Sequence, residues 1–153
     1  MPSAPNTPGP PEVPMPALLR HARTTYGEAM RKALDAAGYD DIPRNGLYIL
    51  GGLALDLPDV PLGQLILELG VSKQAAGQLV DTLVQRGYLQ RMLDEDDRRR
   101  LTVSLTERGR AAAAVQRDAR EKIDAQLVAR VGEEDLRRAR HTLAALIDLR
   151  GEG

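Results

Sequence analysis

The 153-residue sequence predicts a mainly α-helical fold with one small β-hairpin. Three observations carry that reading. Apolar residues recur at three- and four-residue steps over most of the chain, the spacing of helix faces. Two short helical segments, Leu62–Leu69 and Ser72–Arg86, meet across a tight turn at Gly70, the layout of a helix-turn-helix. Two short strand-like stretches then flank a charged segment, Asp94 to Arg100, that holds no apolar residue.

Each element follows from local signals. Residues 1–16 contain seven of the ten Pro. Pro lacks the N–H donor and disfavours helix in the residue before it, so this stretch reads as a disordered or polyproline-like tail. The remainder, 17–153, reads as a single domain. Leu18, Ala22, Tyr26, Ala29, Met30, Ala33 and Leu34 give a first helix from Ala17 to Ala37, stopped by Gly38. Pro43 stands where the first turn of a second helix would begin, and Leu47, Leu50, Leu53 and Ala54 continue it. Gly51-Gly52 inside it costs about 1 kcal/mol per residue relative to Ala, which close packing or room for a ligand would offset. Pro58 and Pro61 bracket an extended connector.

Ser72 caps the second helix of the helix-turn-helix, with Ala75, Leu79, Val80 and Leu83 as its inner face and Gly87 as its stop. Tyr88–Leu93 reads as a strand. Leu101, Val103 and Leu105 alternate with Thr102 and Ser104, which marks a strand with one buried face. A hairpin directly after a helix-turn-helix makes a winged helix, here about residues 43–105. Thr106 caps a long helix to about Arg130, with Val115, Ala119, Ile123 and Leu127 at four-residue steps. After Gly132, the carboxylates of Glu133, Glu134 and Asp135 suit the first turn of a last helix carrying Leu136, Leu143, Leu146 and Ile147 to about Arg150.

Composition excludes several classes of chemistry. With no Cys there is no disulfide, thiolate metal site or thiol redox sensor. Two His and no HExxH give no metal site, and G-x-S-x-G, G-x-G-x-x-G and Walker A patterns are absent. The acidic run Asp94–Asp97 lacks the central Gly and distant Glu of a calcium loop. No catalytic constellation, cofactor or metal is expected. The longest uncharged stretch of the folded part, Asn45–Leu55, is shorter than a membrane span, and no signal peptide is visible, so a cytoplasmic protein is expected. The formal net charge is −1, yet 18 of the 21 basic residues are Arg, a bias toward bidentate phosphate and guanine contacts that a GC-rich genome also produces.

The second helix of a helix-turn-helix lies in a DNA major groove with its N-terminal half against base edges. Its outward residues here are Ser72, Lys73, Gln74, Gln78 and Asp81, with Gly77 removing side-chain bulk. Gln pairs bidentately with adenine, Lys contacts guanine and Ser holds a phosphate. Arg98, Arg99 and Arg100 at the hairpin tip are long enough to enter a minor groove. Asp97 beside them would repel phosphate unless it pairs with one Arg and holds the wing in shape.

The segment from Gly70 to Arg91, followed by Asp94 to Gly109, resembles the multiple-antibiotic-resistance-regulator (MarR) family of winged-helix transcription regulators. The resemblance implies a homodimer whose dimerisation helices, about 17–38 and 106–150, interlock. It implies a transcription regulator, a repressor released by a small, often aromatic and anionic ligand, that binds a pseudo-palindromic DNA operator. The family's wing motif falls on Asp97 and Arg99, and its Leu-Thr-x-x-Gly step on Leu105, Thr106 and Gly109. The ligand pocket it implies would be lined by His21, Tyr26, Arg44, Tyr48 and residues near Gly51. A protein-interaction module of the same fold without DNA binding is the alternative.

Overall fold

The computed structural model describes residues 12–55, 62–93, 96 and 101–152. Its elements follow in the order α1 (Met15–Ala36), α2 (Gly46–Leu53), α3 (Leu62–Leu69), α4 (Lys73–Gln85), β1 (Leu89–Leu93), β2 (Leu101–Leu105), α5 (Glu107–Val131) and α6 (Glu133–Leu149). The fold is mainly helical with one two-stranded antiparallel hairpin, as the sequence predicts.

Boundaries move where Pro and Asn act locally. Helix α1 begins at Met15, inside the stretch read as tail, because Pro14 serves as its N-cap and Pro16 sits in its first turn. A missing N–H is no loss there. Residues 1–11 of that tail, and Pro58 and Pro61 of the connector, lie outside the described residues. Helix α2 starts three residues after Pro43. The Gly46 N–H donates to the Pro43 carbonyl at 2.9 Å in a turn, and Asn45 takes a left-handed conformation with φ 70°.

Helix α4 is capped as expected, the Ser72 hydroxyl accepting from the Ala75 N–H at 3.1 Å. Its buried stripe runs through Ala76, Val80 and Leu83. Ala75, expected on that face, is exposed, because it stands one residue out of phase with this stripe. Tyr88, read as the first strand residue, precedes β1 and is fully buried. The strands pair from Leu89 opposite Leu105 to Leu93 opposite Leu101, and the buried Leu89 and Leu105 anchor the base of the hairpin.

Helix α1 packs along α5, α2 lies against both α3 and α5, and α4 meets β1. The core joins Leu34 of α1, Ile49 and Leu50 of α2, Leu65 of α3, Leu83 of α4 and Ala112 of α5. This packing accounts for Gly51-Gly52. A Cβ on Gly51 would stand 2.9 Å from the Gln116 side-chain nitrogen of α5, and one on Gly52 would stand 2.5 Å from a Leu65 methyl of α3. The two glycines let α2 wedge between its neighbours. Gln116 uses that closeness to donate to the Leu47 carbonyl at 2.9 Å. Helix α6 touches α5 but leaves Leu143, Leu146 and Ile147 exposed.

Candidate nucleic-acid interface

The polar face of α4 is presented as the spacing predicts. Ser72, Lys73, Gln74, Gln78 and Asp81 are all exposed, while the opposite stripe is in the core. Gly77 lies between them on the open side, with nothing within 4 Å of where a Cβ would stand. A shallow cleft of about 290 Å³ runs beside this face, lined by Lys73, Gly77 and Asp81 of α4, Ile66 of α3 and Arg91 of β1.

Arg91 escapes a motif-based reading of the sequence. Its guanidinium donates to the Asp81 carboxylate and ties the hairpin to the reading helix. The visible signal was a charge between Leu89 and Leu93, interrupting the apolar alternation of one strand face. The wing-tip residues Asp97, Arg98, Arg99 and Arg100 lie outside the described residues.

A second polar cluster holds the winged helix to the long helix. The buried Tyr88 donates its hydroxyl to the Asp41 carboxylate. Arg108 of α5 donates to the Tyr88 oxygen at 3.0 Å and to Asp41 at 3.3 Å. Its guanidinium carbon lies 4.6 Å from the Tyr88 ring centroid and 5.3 Å from that of Tyr39, within cation–π range. Arg86, at the end of α4, donates to the Asp41 carbonyl. The loop before α2, the end of α4 and the start of α5 therefore share one anchor. Burial, then the hydrogen bond to Asp41, pushes the Tyr88 phenol up to about 12. The same bond, aided by Arg108, holds the Asp41 carboxyl below its ordinary range.

The residues expected to line a ligand pocket lie on α1, in the loop before α2 and on α2. His21 and Arg44 are exposed. Tyr26 donates to Asp124 of α5, a bond that raises its phenol above the ordinary value. Tyr48 donates to Glu68 of α3, and burial followed by that bond pushes its phenol up to about 12. Each Tyr has its hydroxyl committed to a neighbouring helix. The cleft that does lie between α2, β2 and α5 has a volume of about 710 Å³ and contains Gly51 but none of those four residues. Its polar wall is Arg110, Gln116, Arg117 and Arg120, one face of α5, and its apolar wall includes Leu53, Leu55 and Ala113. The side-chain oxygen of Gln116 is buried without a hydrogen-bond partner among the described residues.

A helix-turn-helix with an exposed polar second helix and a hairpin pinned to it defines the class: a winged-helix protein. The sequence profile of the MarR family matches residues 40–100. Solved structures of MepR from S. aureus share the fold. MepR in its DNA-binding conformation is 18% identical with a TM-score of 0.73, covering 89% of this chain and 98% of that one. The MepR–DNA complex is 18% identical with a TM-score of 0.70, covering 89% and 98%. MepR bound to ethidium bromide is 19% identical with a TM-score of 0.57, covering 90% and 96%. No curated protein matches the chain. Among the described residues, no helix is long and apolar enough to cross a membrane.

Proposed function

We propose that the protein is a sequence-specific DNA-binding transcription regulator and not an enzyme. One observation carries the reading: α4 turns Ser72, Lys73, Gln74 and Gln78 to solvent on a helix whose other face is locked into the core. Such a helix fits a major groove without rearrangement. The family match over residues 40–100 and the existence of a DNA complex of MepR, a protein of this fold, support it.

In this reading the protein works as a homodimer on a pseudo-palindromic operator. Ser72 holds a phosphate, Lys73 and Gln74 read base edges with Gln78 behind them, and Arg98, Arg99 and Arg100 enter the flanking minor groove. Asp97 steadies the wing. The protein acts as a repressor, and a small anionic ligand releases it from DNA. The cleft lined by Arg110, Arg117 and Arg120 is a better seat for that ligand than the committed hydroxyls of Tyr26 and Tyr48. A mobility-shift assay at controlled salt tests the DNA reading. Arg99→Ala is expected to weaken operator binding by about 1–3 kcal/mol, the range for one good groove contact. Equal affinities would remove the wing from the interface.

A further inference from the structure

The exposed face of α4 carries one carboxylate, Asp81, and β1 answers it with Arg91. Lys73, Gly77 and Asp81 follow at four-residue steps, so they form one stripe down the helix. Asp81 lies about 12 Å along the axis from Lys73 at 1.5 Å per residue. Between them Gly77 leaves the floor of the cleft open, and Arg91 closes its far end.

The pair contributes little to holding the fold together. Both side chains are exposed, 40% for Arg91 and 62% for Asp81. Exposed ion pairs are screened and worth little in stability. On DNA the same two charges matter far more. Duplex DNA carries about one negative charge per 1.7 Å, and an Arg on this face is drawn to it. A carboxylate on the same face is repelled unless it is neutralised.

We propose that Asp81 is a specificity-determining residue, which holds Arg91 away from the phosphates and leaves sequence discrimination to the polar side chains of α4. This rests on the DNA-binding reading. With Arg91 occupied, the reading face offers Lys73 at one end, Ser72, Gln74 and Gln78 as groups that need a matching partner, and a neutral pair at the other end. Affinity for arbitrary DNA stays low, and base contacts decide where the protein remains.

The test is the salt dependence of binding to a random-sequence duplex, followed by fluorescence anisotropy, for the parent and for Asp81→Asn, Asp81→Glu and Arg91→Gln. One added phosphate contact steepens the log–log slope by about 0.9. Asp81→Asn is therefore expected to lose roughly threefold to fourfold more affinity than the parent between about 50 and 200 mM salt. It should also narrow the affinity ratio between a duplex selected with the parent and the random duplex. Asp81→Glu, which keeps the charge, should retain the parent slope. In the Arg91→Gln background, where no guanidinium is released, Asp81→Asn should steepen the slope by clearly less than it does in the parent. A parent-like slope in Asp81→Asn, or a steepening that is undiminished without Arg91, would overturn the proposal while leaving the DNA-binding reading intact. A parent that binds no duplex even at low salt would sink that reading, and this proposal with it.

Discussion

Gly109 has no room for a side chain. A Cβ there would run into the Tyr88 carbonyl, which accepts the Thr106 N–H at 3.1 Å. Thr106 completes the joint by accepting from the Gly109 N–H at 3.0 Å and donating its hydroxyl to the Gly87 carbonyl. Gly109→Ala is expected to cost about 1–3 kcal/mol, as overpacking does, measured by urea denaturation. Gly77→Ala should do the opposite. Its Cβ meets open space in a helix interior, so the substitution should raise stability by up to about 1 kcal/mol. If α4 approaches DNA through that gap, the same variant should bind DNA more weakly. A loss of stability in Gly77→Ala would contradict the packing described for α4. Asp41 adds an acid dependence. Its folded-state pKa is lowered from 3.8, so the unfolded chain takes up the proton first as pH falls. The stability it contributes is whole above about 3.8 and is lost as pH drops through the lower folded value. Unfolding followed between about pH 5 and 2 should show a shallower acid loss in Asp41→Asn than in the parent.

At the scale of the element, the proposed function gives the discrimination to α4 and the hairpin. Lys73→Ala should weaken binding, and Gln74→Ala should alter the bases selected at one position of each half-site. An unchanged selection profile would remove Gln74 from the reading set. These elements were legible because their signals are local: Ser72 before the helix, Gly70 and Gly87 at turns, and period-two alternation in Leu101–Leu105. The polar face of α4 was legible for the same reason. The phase of its inner face was not, since Ala75 and Ala76 are equivalent until the helix meets the core. Nor was the anchor of Asp41, Tyr88 and Arg108, whose members are 20 to 67 residues apart and meet only through the tertiary fold. The partners of two residues expected at the pocket were hidden for the same reason. Helical spacing put Tyr26 and Tyr48 near the right helices, but their hydroxyls are taken by Asp124 and Glu68.

At the scale of the whole molecule, charge and apolar surface are divided by role. Residues 71–110 carry eight basic and six acidic side chains, a local excess of +2 in a chain of net charge −1. Phosphate contacts should therefore be few and directed, and the salt slope moderate. Leu143, Leu146 and Ile147 of α6 are exposed, as is Met15 at the start of α1. In the proposed homodimer this apolar face would lie in the interface between the two copies. Light scattering should find a dimer for the parent and a monomer for Leu146→Glu, with operator affinity falling in the same variant. Sequence-specific binding is tested most directly by in vitro selection of duplex DNA bound by the full chain. A dimeric winged-helix regulator should enrich a pseudo-palindrome with half-sites about one helical turn apart. A pool that stays random, with no affinity even at low salt, would contradict it.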